Sequence, residues 1–427
     1  MELFNHPLRL RADPARVVVR PFHIAWARTG NAPSRTERLV GEVLAMSEAE
    51  AARQLEVVLQ DFEARHWQTR RVFMTRYDEI EDRMGLDGAA IPDVKRQLIG
   101  AYFCQEYSYA AAALMNPSAV PHPDQSGLEP GATRIVMSLR SVGEGHISTV
   151  AFREGIVTPA CELILSPEPP FATSADTPGR HDAENPPSGP VTVFRNRDSN
   201  LSGTVIFPIT DAQSRGLEDL RLVRFDHGER DFEWIGTYTA YNGSAIQSEL
   251  MRTRDFRRFD MVPMTGAAAR NKGMALFPRR IGGDYMMIGR SDGENLFLLR
   301  SDRLTHWDDG ECILRPEYGW ELVQIGNCGP PIELDEGWLL LTHGVGAMRK
   351  YSIGAVLLDK DDPSKVIGRT AEPLLAAKDQ DREGYVPNVV YSCGAIRHGD
   401  KLFLPYGIAD SSVGFAFVRI KDLLAAM

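Results

Sequence analysis

GWLLLTHGVGAMRKYSIGAVLLD, Gly337–Asp359, reads as a strand, a turn and a second strand. Its first half is a strongly apolar run that ends on His343, and Tyr351 opens the next run. Runs of this kind recur on both sides. RIVMSLRSV, ISTVAFREG, GTVIFPI, FEWIGTYTAY, YMMIGRS, NLFLLRS, KLFLPYGIA and GFAFVRI are all short, apolar and separated by Gly, Asp and Asn turns. Short runs at fairly even spacing predict an all-β array, either a large sandwich or a propeller. No strict repeat such as a WD dipeptide is visible, so repetition alone does not decide between them.

The first part of the chain has a different grammar. VVVRPFHIAW reads as a short strand or extended arm. From Ser47 the pattern becomes helical, with Glu50 three residues on as a capping box and Leu55, Val58, Leu59 and Phe62 at helical spacing. A second helix is expected from Asp93 to Leu114, ending at Pro117. This divides the chain into an N-terminal arm and helical segment, 1–115, and a β domain, 116–427. Within the latter, Ser166–Pro190 is rich in Pro, Ser and charge, and is expected to be a long loop.

Composition narrows the class. With 427 residues the chain is long enough to bury a large core, and its net charge of −10 shows no basic face, which weighs against a nucleic-acid partner. The N-terminus has no apolar core of a signal peptide, and no window reaches membrane-span length, so no membrane partner is expected. Five scattered cysteines without CxxC argue against a disulfide framework or a zinc site. A cytoplasmic protein with no metal and no cofactor is the expectation.

Polar residues gather at the ends of the apolar runs. SRGLEDLR carries Glu218 and Asp219, which as strand neighbours should face opposite ways, one toward a pocket and one toward Arg221 or Arg215. Trp234, Tyr238 and Tyr241 follow and fit either a core or a sugar site. Arg270, Asn271 and Lys272 form a donor cluster suited to an anion, without any phosphate-cradling glycine loop. Arg290, His343, Tyr351 and Asp410 sit at run ends, as do Asn116, Ser118 and Arg140, the last near Glu144 and His146. No GxSxG elbow is present. Acid catalysis beside an anion, or a carboxylate pair, fits the set.

Taken in order, NPSAV, RSVGEGHIS, GLEDLR…YTAY, RNKGMALFP, IGRS…LTHW, GPPIELDEGWLLLTHGV…YSIGAVLLD, VPNVVYSCG and PYGIAD resemble glycoside hydrolase family 130, over Asn116 to Met427. The resemblance implies a five-bladed β-propeller with an N-terminal helical extension of the kind some members use in oligomer contacts. It implies action on β-mannoside oligosaccharides, mostly by inverting phosphorylases and in a minority by β-1,2-mannosidases. The family's Glu-Asp-Pro-Arg motif reads EDLR here, which maps the catalytic acid to Asp219, acting through the sugar's own 3-hydroxyl, with Leu220 in place of proline. The phosphate-binding residues carry over to Arg270, Asn271, Arg290, His343 and Tyr351, with Gly273 where an aspartate is usual. Asn116, Ser118, Arg140 and Asp410 carry over as sugar-binding residues.

The expected reaction is attack of inorganic phosphate, as co-substrate, on the anomeric carbon of a β-mannoside, releasing α-mannose 1-phosphate. Retention of the basic set favours this reading. The alternatives are an inverting β-mannosidase that uses water, with Glu144 as its base, and a non-catalytic carbohydrate-binding propeller.

Overall fold

The computed structural model describes residues 2–28, 32–177 and 186–427. The chain forms two compact units. One comprises Pro14–Tyr109 and Pro169–Ser174; the other comprises Met1–Asp13, Ala110–Glu168 and Ala175–Met427. The middle of the Ser166–Pro190 stretch lies outside the described residues.

The smaller unit packs four helices, Arg35–Ala45, Glu48–Phe62, Thr69–Met84 and Asp93–Tyr102. Their apolar stripes meet in a core built on Val40, Leu55, Leu59, Phe73, Tyr77 and Phe103. Ser47 caps its helix by accepting the Glu50 N–H at 3.2 Å, while a reciprocal capping box is made by Ser34 and Glu37. The helical pattern read from Ser47 onward breaks after Phe62. There Gln68 takes a φ of 54° and buried His66 bonds Glu106 at 2.6 Å. The helix expected to run to Leu114 stops at Tyr102 instead. Its continuation, Cys104–Ser108, pairs with Val17–Pro21, so backbone hydrogen bonds that a longer helix would have used go into a ladder.

Strand pairing in the larger unit is antiparallel apart from single bridges, and a short helix, Ile420–Leu424, follows the last strand. The Ala113–Pro121, Thr133–Val142 and Ser148–Val157 strands form one meander, and Gly216–Gly228, Asp231–Tyr241, Ile246–Thr253 and Arg258–Pro263 form a second. One parallel bridge, Gly216 to Ser148, joins the two into a single sheet. A second sheet is built on Tyr285–Gly289 and Leu296–Ser301, and a third on Trp338–Val345 and Tyr351–Leu358. The last contains Lys401–Ile408 and Ser412–Arg419, with Leu3–Arg11 paired to the C-terminal strand. The first strand therefore belongs to the β unit rather than to the helical one. The opening stretch folds as read, with Trp338–Val345 and Tyr351–Leu358 in register from Trp338/Leu358 to Val345/Tyr351.

Two hairpins share one turn. Gly143–Ile147 and Gly346–Lys350 are each closed by a bond from the first N–H to the fifth carbonyl, at 3.1 and 3.0 Å. Each carries two consecutive left-handed residues, Gly145 and His146 in one, Met348 and Arg349 in the other. Relative to these turns Arg140 corresponds to His343, Ser148 to Tyr351 and His146 to Arg349. The repetition that the sequence hides at the level of residue identity is thus present in backbone geometry.

Candidate active site

A cavity of about 250 Å³ opens where strand ends of the β unit converge. It is lined by Asn116, Arg140, Glu218, Asp219, Arg221, Lys272, Gly273, Arg290, Gly326, Asn327, His343, Arg349, Tyr351, Val389, Tyr391 and Asp410. Four of these, Asn116, Asp219, Arg349 and Asp410, are non-glycine residues with φ between 48 and 55°. Such backbone is costly for L-residues and persists where the surroundings enforce it. Here it re-aims side chains. The ladder slips between Met115 and Ser118, which turns Asn116 into the cavity. It slips again between Glu218 and Arg221, so the strict alternation expected of Glu218 and Asp219 fails and both carboxylates line the same wall.

Arg140 holds that wall together. Its guanidinium donates to Glu218 at 2.7 Å, to Asp219 at 3.3 Å and to the Ser148 hydroxyl at 2.9 Å. Asp219 also accepts from the Asn116 amide at 2.7 Å. Arg221 bonds the Asp219 carbonyl at 2.8 Å, the Asn327 side chain at 3.2 Å and the Tyr391 hydroxyl at 2.6 Å. Burial by itself would raise the Asp219 carboxyl. Arg140 and Arg221, helped by the Asn116 bond and Lys272, overcome it and hold the group at about 2. Asp410 goes the other way. Burial, and then the Asp219 charge, push it up to about 6 against the pull of Arg140 and Arg349.

The opposite chemistry gathers around His343. The ring is 2% exposed, and its Nδ1 lies 3.1 Å from the Asn327 carbonyl. Its Nε2 faces an Arg290 nitrogen at 3.5 Å. Tyr351 stacks on the ring at 5.8 Å and Tyr391 lies tilted at 4.7 Å. Burial first, then Arg290 and Arg221, keep His343 well below the usual histidine range, so it is neutral. The Arg290 Nε and the Asn116 Oδ1 are buried without a hydrogen-bond partner. Buried polar atoms left open in this way are groups a ligand can complete.

Of the residues singled out from sequence, the cavity brings together Asp219, Arg290, His343, Tyr351, Asn116, Arg140 and Asp410. It does not bring in Arg270 or Asn271. Arg270 is exposed, and Asn271 spends its amide on the Ser291 carbonyl at 3.1 Å. The next residue, Lys272, lines the cavity in their place. Ser118 is buried behind the wall, its hydroxyl accepting the Leu222 N–H at 3.0 Å. Glu144 is exposed on the Gly143–Ile147 turn and does not line the cavity. Trp234 and Tyr238 are core residues, bonded to the Pro121 carbonyl and to Glu249. The aromatic faces in the cavity are Tyr351 and Tyr391. Sequence reading placed Lys272 in the donor cluster without singling it out for phosphate, and passed over Arg349, Asn327 and Tyr391. Arg349 becomes readable only once the two turns are matched in backbone geometry, and nothing comparable marks Asn327.

A carboxylate pair beside a cluster of basic donors, in a polar cleft of a β protein, is the equipment of a carbohydrate-active enzyme. The family model described as beta-1,4-mannooligosaccharide phosphorylase matches residues 197–427, and the chain belongs to glycoside hydrolase family 130. It is 37% identical over 223 residues to a 1,2-beta-oligomannan phosphorylase of Thermoanaerobacter sp. (strain X514), covering 50% of this chain and 72% of that one. It is 29% identical over 226 residues to a beta-1,2-mannobiose phosphorylase of Listeria innocua, covering 51% of this chain and 62% of that one. The fold resembles a solved glycosyl hydrolase from Bacteroides ovatus at TM-score 0.52 and 20% identity, over 74% of this chain and 87% of the other.

Proposed function

We propose that the chain catalyses inverting phosphorolysis of a β-mannoside, with inorganic phosphate attacking the anomeric carbon to release α-mannose 1-phosphate. Residues 116–427 would be the catalytic domain, with the β meanders as five propeller blades. The observation that carries the reading is the charge of the cavity. Five cationic side chains, Arg140, Arg221, Lys272, Arg290 and Arg349, face three carboxylates, Glu218, Asp219 and Asp410. Lys272 and Arg349 are in no ion pair among the described residues. An excess of two positive charges matches a hydrogen phosphate dianion, which fixed cations would bind, orient and stabilise. The names of the relatives support the same reaction class.

In this reading Asp219 is the acid, and Asn116, Arg140 and Asp410 hold the sugar. Arg290, His343, Tyr351 and Lys272 hold phosphate, Lys272 in the role expected of Arg270. Asp219 at about 2 is ionised in the empty cavity. Bringing in a dianion raises its affinity for a proton, so the carboxyl takes up the proton it must deliver only when phosphate is present. Five free cysteines are in keeping with a cytoplasmic setting. Hydrolysis would need a carboxylate to activate water, and Asp410, at about 6, is the cavity group suited to it. The test is analysis of the product from β-mannobiosides of each linkage, for wild type and Asp219→Asn. α-Mannose 1-phosphate made by the wild type and lost in the variant is expected. Free mannose with no phosphate ester would favour hydrolysis.

A further inference from the structure

His343 is held in one chemical form by its neighbours. The Asn327 carbonyl, 3.1 Å from Nδ1, can only accept, so Nδ1 carries the ring proton. The Arg290 guanidinium, 3.5 Å from Nε2, can only donate, so Nε2 carries no proton, and a contact of that length leaves its one lone pair weakly engaged and open to a better donor. The ring has no room to turn over. Gly326 pairs with His343 across the ladder, and a Cβ there would stand 2.3 Å from the ring. Tyr351 stacks on it with an interplanar angle of 15°. Burial among Arg290 and Arg221 opposes a second proton. Among the cations of the cavity, His343 is therefore an acceptor.

We propose that His343 recognises the hydroxyl of hydrogen phosphate, its Nε2 accepting the P–O–H proton, so that the cavity admits a protonated oxyanion and rejects one without a hydrogen. The proposal rests on the phosphorolytic reading above. It fixes the orientation of the nucleophile. The protonated oxygen turns to His343, and an unprotonated one attacks. A bond from that oxygen to the anomeric carbon forms as the bond to the aglycone oxygen breaks. The proton of Asp219 goes to the aglycone oxygen, and phosphate keeps its own at His343. A dianion and a neutral acid become a monoester monoanion and a carboxylate, so charge is conserved.

Sulfate is the probe, being a dianion of the same shape with no hydrogen to give. A site built to bond a hydroxyl discriminates strongly against an analogue that lacks it. Sulfate should inhibit the wild type with a constant about 100-fold above the KM for phosphate, which is close to 3 kcal/mol. Arsenate, which carries the hydroxyl, should replace phosphate in turnover. In His343→Gln the amide can donate, and the sulfate-to-phosphate ratio should fall to about tenfold or less. Equal potency of sulfate and phosphate on the wild type would overturn the proposal. Should the variant not fold, nitrogen NMR of the wild type decides. Protonated Nδ1 and bare Nε2 between about pH 6 and 8 are expected, and an imidazolium there would overturn it. Turnover indifferent to phosphate would instead count against phosphorolysis itself. Calorimetric binding of the two anions would then still read the His343 inference, with equal affinity against it.

Discussion

Asp219 and Asp410 line one cavity, and their carboxyls are driven apart: about 2 for the first, about 6 for the second. Both are buried. The difference is that Asp219 has Arg140, Arg221 and Asn116 around it, while Asp410 feels the Asp219 charge more than any cation. The raised group binds a proton in the folded state before it does in the unfolded one. Its contribution is fully present below the unfolded value near 4 and lost as pH rises through about 6. Asp410→Asn should therefore raise the melting temperature at pH 8 and leave it nearly unchanged at pH 4, as thermal unfolding at the two pH values would reveal. A stabilisation equal at both would mean that Asp410 is not strained by its charge. Asp219 has the opposite sign. Its contribution is present above the unfolded carboxylate value and lost as pH falls toward about 2. Much at this level was legible in the sequence. Asp219, Arg290, His343 and Tyr351 could be named because each lies near one end of an apolar run, inside a motif of known order. Arg270 for Lys272 was an error of two positions, because a short turn at Ala268–Arg270 precedes extended Asn271.

Strand ends and turns aim these side chains, and here sequence reading was weakest. Alternation says which residues share a face, but the slips at Asn116 and after Glu218 break it where the cavity begins. A left-handed Asn or Asp looks like any other in a sequence, so the bulges could not be foreseen. Two glycines in one small turn and one in its counterpart, with no other residue in common, likewise concealed the match between Gly143–Ile147 and Gly346–Lys350. Gly326 tests the importance of aim. A methyl there drives into the His343 ring, and overpacking of this kind costs about 1–3 kcal/mol. Gly326→Ala should raise the KM for phosphate at least about tenfold while the chain stays folded. Steady-state kinetics with phosphate varied, beside circular dichroism, would check it. An unchanged KM would show that His343 is not part of the phosphate site.

Across the whole chain, the all-β reading of the larger part and the helical reading of the smaller both came from periodicity. Their boundaries did not, because Cys104–Ser108 and Leu3–Arg11 are short segments whose partners lie far away in sequence. Leu3–Arg11 covers the edge of the C-terminal strand, and Arg9 pairs with Asp381 at 2.8 Å. Removing residues 2–11 should lower the melting temperature by on the order of 5 °C and promote aggregation through the bared edge, visible by calorimetry and light scattering. No change would mean that the edge needs no cover. The excess positive charge of the cavity, set in a chain with a net charge of −10, underlies the proposed function. Turnover of β-mannobiosides with and without inorganic phosphate tests that claim most directly. Cleavage that requires phosphate and yields one α-mannose 1-phosphate per bond broken is the expected result. Free mannose released at the same rate without phosphate would contradict it.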